Sequence, residues 1–143
     1  MKQTWIVVAE SSRARIFALR GLTSPLQELE DLVNPAARAA ERDLVSDRPG
    51  RTVDSTGGQR HAKQPQVTPA EQVVLTFARA IADHVEQGRT HGKFEDLIVV
   101  AAPEFLGLLR KSLTEATRHK IKKEIHKNLV REDEKTIREY LQS

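Results

Sequence analysis

The chain has 143 residues, a length that builds one hydrophobic core rather than two. Its apolar fraction of 38% lies below the soluble average and its charged fraction of 30% a little above it, yet a chain of this size still buries a sizeable interior. Zero cysteines exclude a disulfide framework, a thiolate zinc site and a cysteine nucleophile, and a net charge of +3 permits a nucleic-acid partner without demanding one.

The first apolar stretch is Trp5-Ile6-Val7-Val8-Ala9, closed by Glu10. It is too short for the apolar region of a signal peptide or for a membrane span, so the sequence reads as a soluble, cytoplasmic protein with no membrane partner. Rich in β-branched residues, it predicts a strand covered on both faces at the centre of a sheet. Ser11-Ser12 supplies turn chemistry, and Ala14 to Arg20 follows so soon that only a hairpin can connect the two. After Gly21 and Ser24-Pro25 comes Leu26 to Val33, whose apolar residues at 26, 29, 32 and 33 fit a helix about as well as a strand. The tight turns around it favour a third strand, and hence a meander.

From Asn34 to Val67 no period is sustained, and Arg, Asp, Ser, Gly and Pro dominate. Connections beyond about 12–15 residues are uncommon in compact domains, so this long loop is expected to be functional or disordered, with room for a helical turn at Pro35 to Arg42. Thr68-Pro69-Ala70-Glu71 then forms a capping box with proline at the first helical position. Val74, Phe77, Ala78, Ile81 and Val85 repeat at helical spacing behind it, and Gly88 or Gly92 can end the helix.

Asp96 to Ala102 is a second apolar strand, and Pro103 opens a helix carrying Leu106, Leu109 and Leu113 on one stripe. Ile121, Ile125 and Leu129 are four apart, as in a helix, while Ile121-Lys123-Ile125-Lys127-Leu129 also alternates. An edge strand guarded by lysines is favoured over a helix. Glu132 to Leu141 closes the chain as a short helix with Ile137, Tyr140 and Leu141 turned inward. The element order predicts a single α/β domain over residues 1–143: a ribonuclease H-like mixed sheet in which a three-strand meander is followed by alternating helices and strands.

A nuclease of that fold holds two metal ions about 4 Å apart on carboxylates from the first and fourth strands. Here the first strand carries Ile6-Val7-Val8 at its centre with Glu10 only at its end, the fourth ends in Ala101-Ala102-Pro103, and Asp96 stands at the opposite end. The histidines are scattered at 61, 84, 91, 119 and 126, and His84 and His91 are seven residues apart, about 10 Å along a helix. No metal site and no cofactor are expected. No nucleophile elbow is visible, and Gly57-Gly58 lacks the Lys and Ser or Thr of a phosphate-binding loop.

Charge is more informative by region. Between Arg110 and Arg131 lie eight basic residues, at 110, 111, 118, 120, 122, 123, 127 and 131, against Glu115 and Glu124, a local balance of +6. Lys120, Lys122, Lys123 and Lys127 are therefore candidate contacts for RNA phosphates. The same lysines also serve an edge strand that is merely solvated, and both readings stand on sequence alone. Aromatic residues do not interleave with them, so base stacking has no support.

The loop carries Glu41-Arg42-Asp43-Leu44-Val45-Ser46-Asp47-Arg48-Pro49-Gly50-Arg51, then Asp54-Ser55 and Arg60-His61-Ala62. With Ala14-Arg15-Ile16-Phe17, Glu30 to Pro35, Phe77-Ala78-Arg79 and Ala102 to Arg110, this resembles the bacterial family of proteins required for attachment to host cells, over nearly the whole chain. Two positions depart from that pattern: Glu10 stands where aspartate is expected, and Asn128 takes the place of an acid. The family is similar in fold to the middle domain of archaeal and eukaryotic peptide release factors, whose Gly-Gly-Gln loop precedes a long helix and enters the peptidyl-transferase centre.

The resemblance implies a ribosome or structured RNA as partner, with any effect on attachment exerted indirectly. Arg42, Arg48, Arg51, Arg60 and His61 are the loop's candidate binding residues. It also raises hydrolysis of a peptidyl-tRNA ester by Gly57, Gly58 and Gln59, the glutamine placing a water. The helix begins nine residues after Gln59 here instead of almost at once. A chain of this length is not expected to hold the other domains of a termination factor. A third alternative is a protein-interaction module that adds its basic edge strand to a partner's sheet.

Overall fold

In the computed structural model the opening apolar run is β1 (Thr4–Ala9), buried along its whole length. The structure describes residues 3–21, 23–37, 39 and 67–142. β1 pairs antiparallel with β2 (Arg13–Leu19), in register from Thr4 opposite Leu19 to Ala9 opposite Ala14. β3 (Gln27–Val33) adds antiparallel to β2, so the meander forms as the turn chemistry requires. Parallel strands β4 (Asp96–Val100) and β5 (Ile121–Ile125) complete a five-stranded mixed sheet in the order β3-β2-β1-β4-β5.

Because side chains alternate along a strand, the sheet separates two apolar clusters. Trp5, Val7, Ala9, Leu97 and Val99 face α1 (Pro69–Thr90) and α2 (Pro103–Ser112). Ile6, Val8, Phe17, Ile98 and Val100 pack on the other side with Leu129, Val130 and Ile137 of α4 (Glu134–Gln142). A four-residue helix, α3 (Glu115–Arg118), lies between α2 and β5; no sequence period announces an element that short.

The capping box forms as its residue types dictate. Thr68 Oγ1 accepts from the Glu71 amide at 3.1 Å, and the Glu71 carboxylate accepts from the Thr68 amide at 2.8 Å. Of the two glycines able to end α1, Gly92 does so, with φ of +67°, just beyond the helix. Gly88 lies inside the helix for a different reason: a Cβ there would sit 2.5 Å from two Trp5 ring carbons, so glycine lets α1 rest on the indole.

Two boundaries differ from the sequence pattern. β4 stops at Val100, and β5 stops at Ile125 rather than continuing to Leu129. After Ile125 the chain bends: the Asn128 side-chain oxygen accepts from the Val130 amide at 3.2 Å, and Leu129 and Val130 turn into the second cluster. The terminal helix starts at Glu134, where the Asp133 carboxylate accepts from the Thr136 amide at 2.9 Å. In the long connection, residues 35–37 are helical, as the turn at Pro35 suggested.

Candidate nucleic-acid interface

β5 is one edge of the sheet, and the register of its ladder slips beside β4: Ile121 is opposite Leu97, but Lys123 is opposite Ile98. Lys122 is thus the extra residue of a bulge, a device that interrupts an edge ladder and re-aims a side chain. Its ammonium lies 3.7 Å from Asp96 and its side chain is half exposed.

The basic stretch does not form one patch. The sheet edge divides it. On the helix α2 side, Arg110 forks onto Glu124 of β5, with the Nε to Oε2 bond at 3.1 Å. Arg118 Nη1 donates to the carbonyls of Arg110 at 3.2 Å and Leu113 at 2.7 Å, satisfying oxygens at the end of α2 with a cation. On the α4 side, Lys123 donates to the Leu141 carbonyl at 3.1 Å, and the Lys127 ammonium stands 5.8 Å from the centre of the Tyr140 ring. Lys120 is half-buried, its carbonyl accepting from the Leu97 amide at 2.8 Å.

On the α2 side the edge holds a cavity of about 310 Å³ lined by Arg110, Arg118, Ile121, Lys122, Lys123 and Glu124. The sequence places Arg110 and Arg118 in the basic stretch but cannot show that they meet across it, because Arg110 belongs to a helix and its partner Glu124 to a strand fourteen residues on. Arg42, Arg48, Arg51, Gly57, Gly58, Gln59, Arg60 and His61 lie outside the described residues.

A second polar cluster braces the interface from behind. The Glu86 carboxylate of α1 accepts from Arg89, from Thr117 of α3, and from the Thr114 hydroxyl at 2.8 Å. Arg89, then Thr117, hold its carboxyl down to about 2, Thr114 adding to the effect. This cluster ties the end of α1 to the helix that presents Arg118.

At the carboxyl ends of β1 and β5, Asn128 donates to Glu10 Oε1 at 2.7 Å, and the Ser12 hydroxyl donates to Oε2 at 2.7 Å. Asp96 is at the opposite end of its strand, paired with Lys122. Among the described residues no three His, Asp or Glu side chains are grouped to hold a metal ion, and no helix is long and apolar enough to cross a membrane.

Sequence reading passes over Arg15, which sits in a strand among apolar neighbours. It is buried, forks onto Glu28 at 3.0 and 3.1 Å, and donates to the carbonyls of Val130 at 3.1 Å and Glu132 at 2.8 Å. One guanidinium therefore joins β2, β3 and the bend that follows β5.

In fold, the chain is similar to a solved archaeal translation termination factor, at 14% identity and a TM-score of 0.51, over 85% of this chain and 29% of that one. A second solved structure, described as an archaeal protein, matches at 13% identity and a TM-score of 0.50, over 88% of this chain and 30% of that one. The chain thus spans less than a third of either structure. No curated protein matches the sequence. The family model described as "protein required for attachment to host cells" matches residues 5–141, and the chain belongs to that family.

Proposed function

We propose that this protein binds RNA, or the ribosome through its RNA, in the cytoplasm, and that its part in attachment is indirect. The observation that carries the reading is the cavity at the β5 edge, where Arg110, Arg118 and Lys122 converge beside a bulge. Cations held in place by local partners meet phosphates at a lower ordering cost than free side chains do. The meander followed by parallel strands supports the ribonuclease H-like, release-factor-middle-domain description of the fold. Strand addition by a protein partner is the weaker reading, because the bulge at Lys122 breaks the ladder that a partner strand would need.

Co-sedimentation with ribosomes tests the proposal. Binding at low salt that fades as salt rises, and that weakens in a Lys120→Ala, Lys122→Ala variant, supports it; no co-sedimentation at low salt refutes it. A variant with Arg42, Arg48 and Arg51 all changed to Ala tests the loop's share in the same assay. Ester hydrolysis is decided separately with peptidyl-tRNA on stalled ribosomes: release unchanged by Gln59→Ala removes the role considered for that residue.

A further inference from the structure

We infer that the cavity between α2, α3 and β5 is a seat for a single phosphate group, bound by Arg118 and Lys122 with Arg110 beside them. Taking that group to be part of an RNA backbone rests on the function proposed above; the seat itself rests on geometry.

Arg118 is the fixed element. Among the described residues its bonds run through Nη1 to two carbonyls, which orient the guanidinium without cancelling its charge and leave Nε and Nη2 for a ligand. Two donors on one planar group match two phosphate oxygens. Lys122 supplies a second cation from the bulge, half exposed and only loosely paired with Asp96 at 3.7 Å. Arg110 completes the wall, but its fork is occupied by Glu124, a carboxylate that also lies 3.8 Å from His126. The cavity, about 310 Å³, has room for the group, and its remaining charged lining residue, Lys123, is drawn to the α4 side by the Leu141 carbonyl.

The same geometry fixes which residue opposes binding. Glu124 is the one acid that lines the cavity, so it competes with an incoming anion for Arg110 and repels it. The seat therefore predicts opposite effects from neighbouring changes: removing the Lys122 cation weakens phosphate binding, and removing the Glu124 charge strengthens it. A diffuse basic surface predicts smaller changes, shared equally by distant lysines.

The test is a titration of the folded protein with inorganic phosphate, followed through backbone amide shifts, with sodium chloride at matched ionic strength as reference. Phosphate-specific shifts confined to residues 110, 118 and 121–124 are expected, with Kd raised at least threefold in Lys122→Ala, lowered at least threefold in Glu124→Gln, and unchanged in Lys135→Ala on α4. Shifts no larger than those from chloride, or spread evenly over the lysines, overturn the seat. A parallel titration with a short single-stranded RNA separates the two ideas. Specific phosphate shifts without RNA binding uphold the seat and refute the proposed function. RNA binding that is unaltered in both Lys122→Ala and Glu124→Gln, with no specific phosphate shifts, overturns the seat and leaves the proposed function standing.

Discussion

The Asn128 amide donates to the Glu10 carboxylate at 2.7 Å, joining the carboxyl ends of β1 and β5 across the strand that separates them. These are the two positions at which the sequence departs from the pattern of the family it resembles, and they are in contact. An amide facing a carboxylate forms a charge-assisted hydrogen bond, whereas two carboxylates at that distance repel unless they share a proton.

Asn128→Asp should therefore destabilise the protein at neutral pH by about 1–2 kcal/mol, through repulsion at a partly exposed site. One of the two acids would then have a raised folded-state pKa, so the loss is present above that value and recovers as pH falls towards the ordinary carboxylate range. Urea unfolding at pH 7 and pH 4.5 measures it. A loss that is the same at both would show that the amide's role is steric.

Glu86 makes the opposite prediction. Its carboxyl is held down to about 2, first by Arg89 and then by Thr117, against an ordinary value of 4.5. A depressed folded-state pKa contributes stability that is complete above about 4.5 and is lost as pH falls towards 2. Glu86→Gln should lower stability at pH 7 by roughly 1 kcal/mol and flatten the decline below pH 4.5. Denaturation midpoints across that window check both.

The two helical glycines should respond with opposite signs. Gly88→Ala gains helix propensity of about 1 kcal/mol but drives a methyl to 2.5 Å from the Trp5 ring, an overpacking cost of about 1–3 kcal/mol. A net loss of about 1 kcal/mol is expected, with the indole displaced and its fluorescence altered. Gly107→Ala in α2 meets nothing within 4 Å, so it should stabilise by up to about 1 kcal/mol.

Arg15→Ala leaves the Val130 and Glu132 carbonyls and the Glu28 carboxylate without their shared donor. A loss of about 2–4 kcal/mol is expected. Arg15→Lys should recover little of it, because an ammonium cannot reproduce a fork and two carbonyl bonds at once. Thermal unfolding of the two variants makes the comparison.

Local chemistry made much of this fold legible. The capping box at Thr68, the apolar runs of β1 and β4, and the alternation of β5 each depend on residues a few positions apart, and each formed where its pattern placed it. What sequence hid depends on contacts between distant elements. Gly88 reads as a helix end until Trp5 is seen against it. The stretch from Arg110 to Arg131 reads as one patch until the sheet edge sends Arg110 and Arg118 to one side and Lys123 and Lys127 to the other. Arg15 gives no local sign that it will reach across to Val130.

The most direct test of the account is the salt dependence of binding to a short single-stranded RNA, measured between about 50 and about 200 mM salt for the wild type and for Lys120→Ala, Lys122→Ala. The account predicts that log K falls linearly with log salt and that the double variant binds more weakly, with a slope shallower by roughly 1.4, two phosphate contacts at 0.7 each. Equal slopes, or no binding by the wild type at the lowest salt, would contradict it.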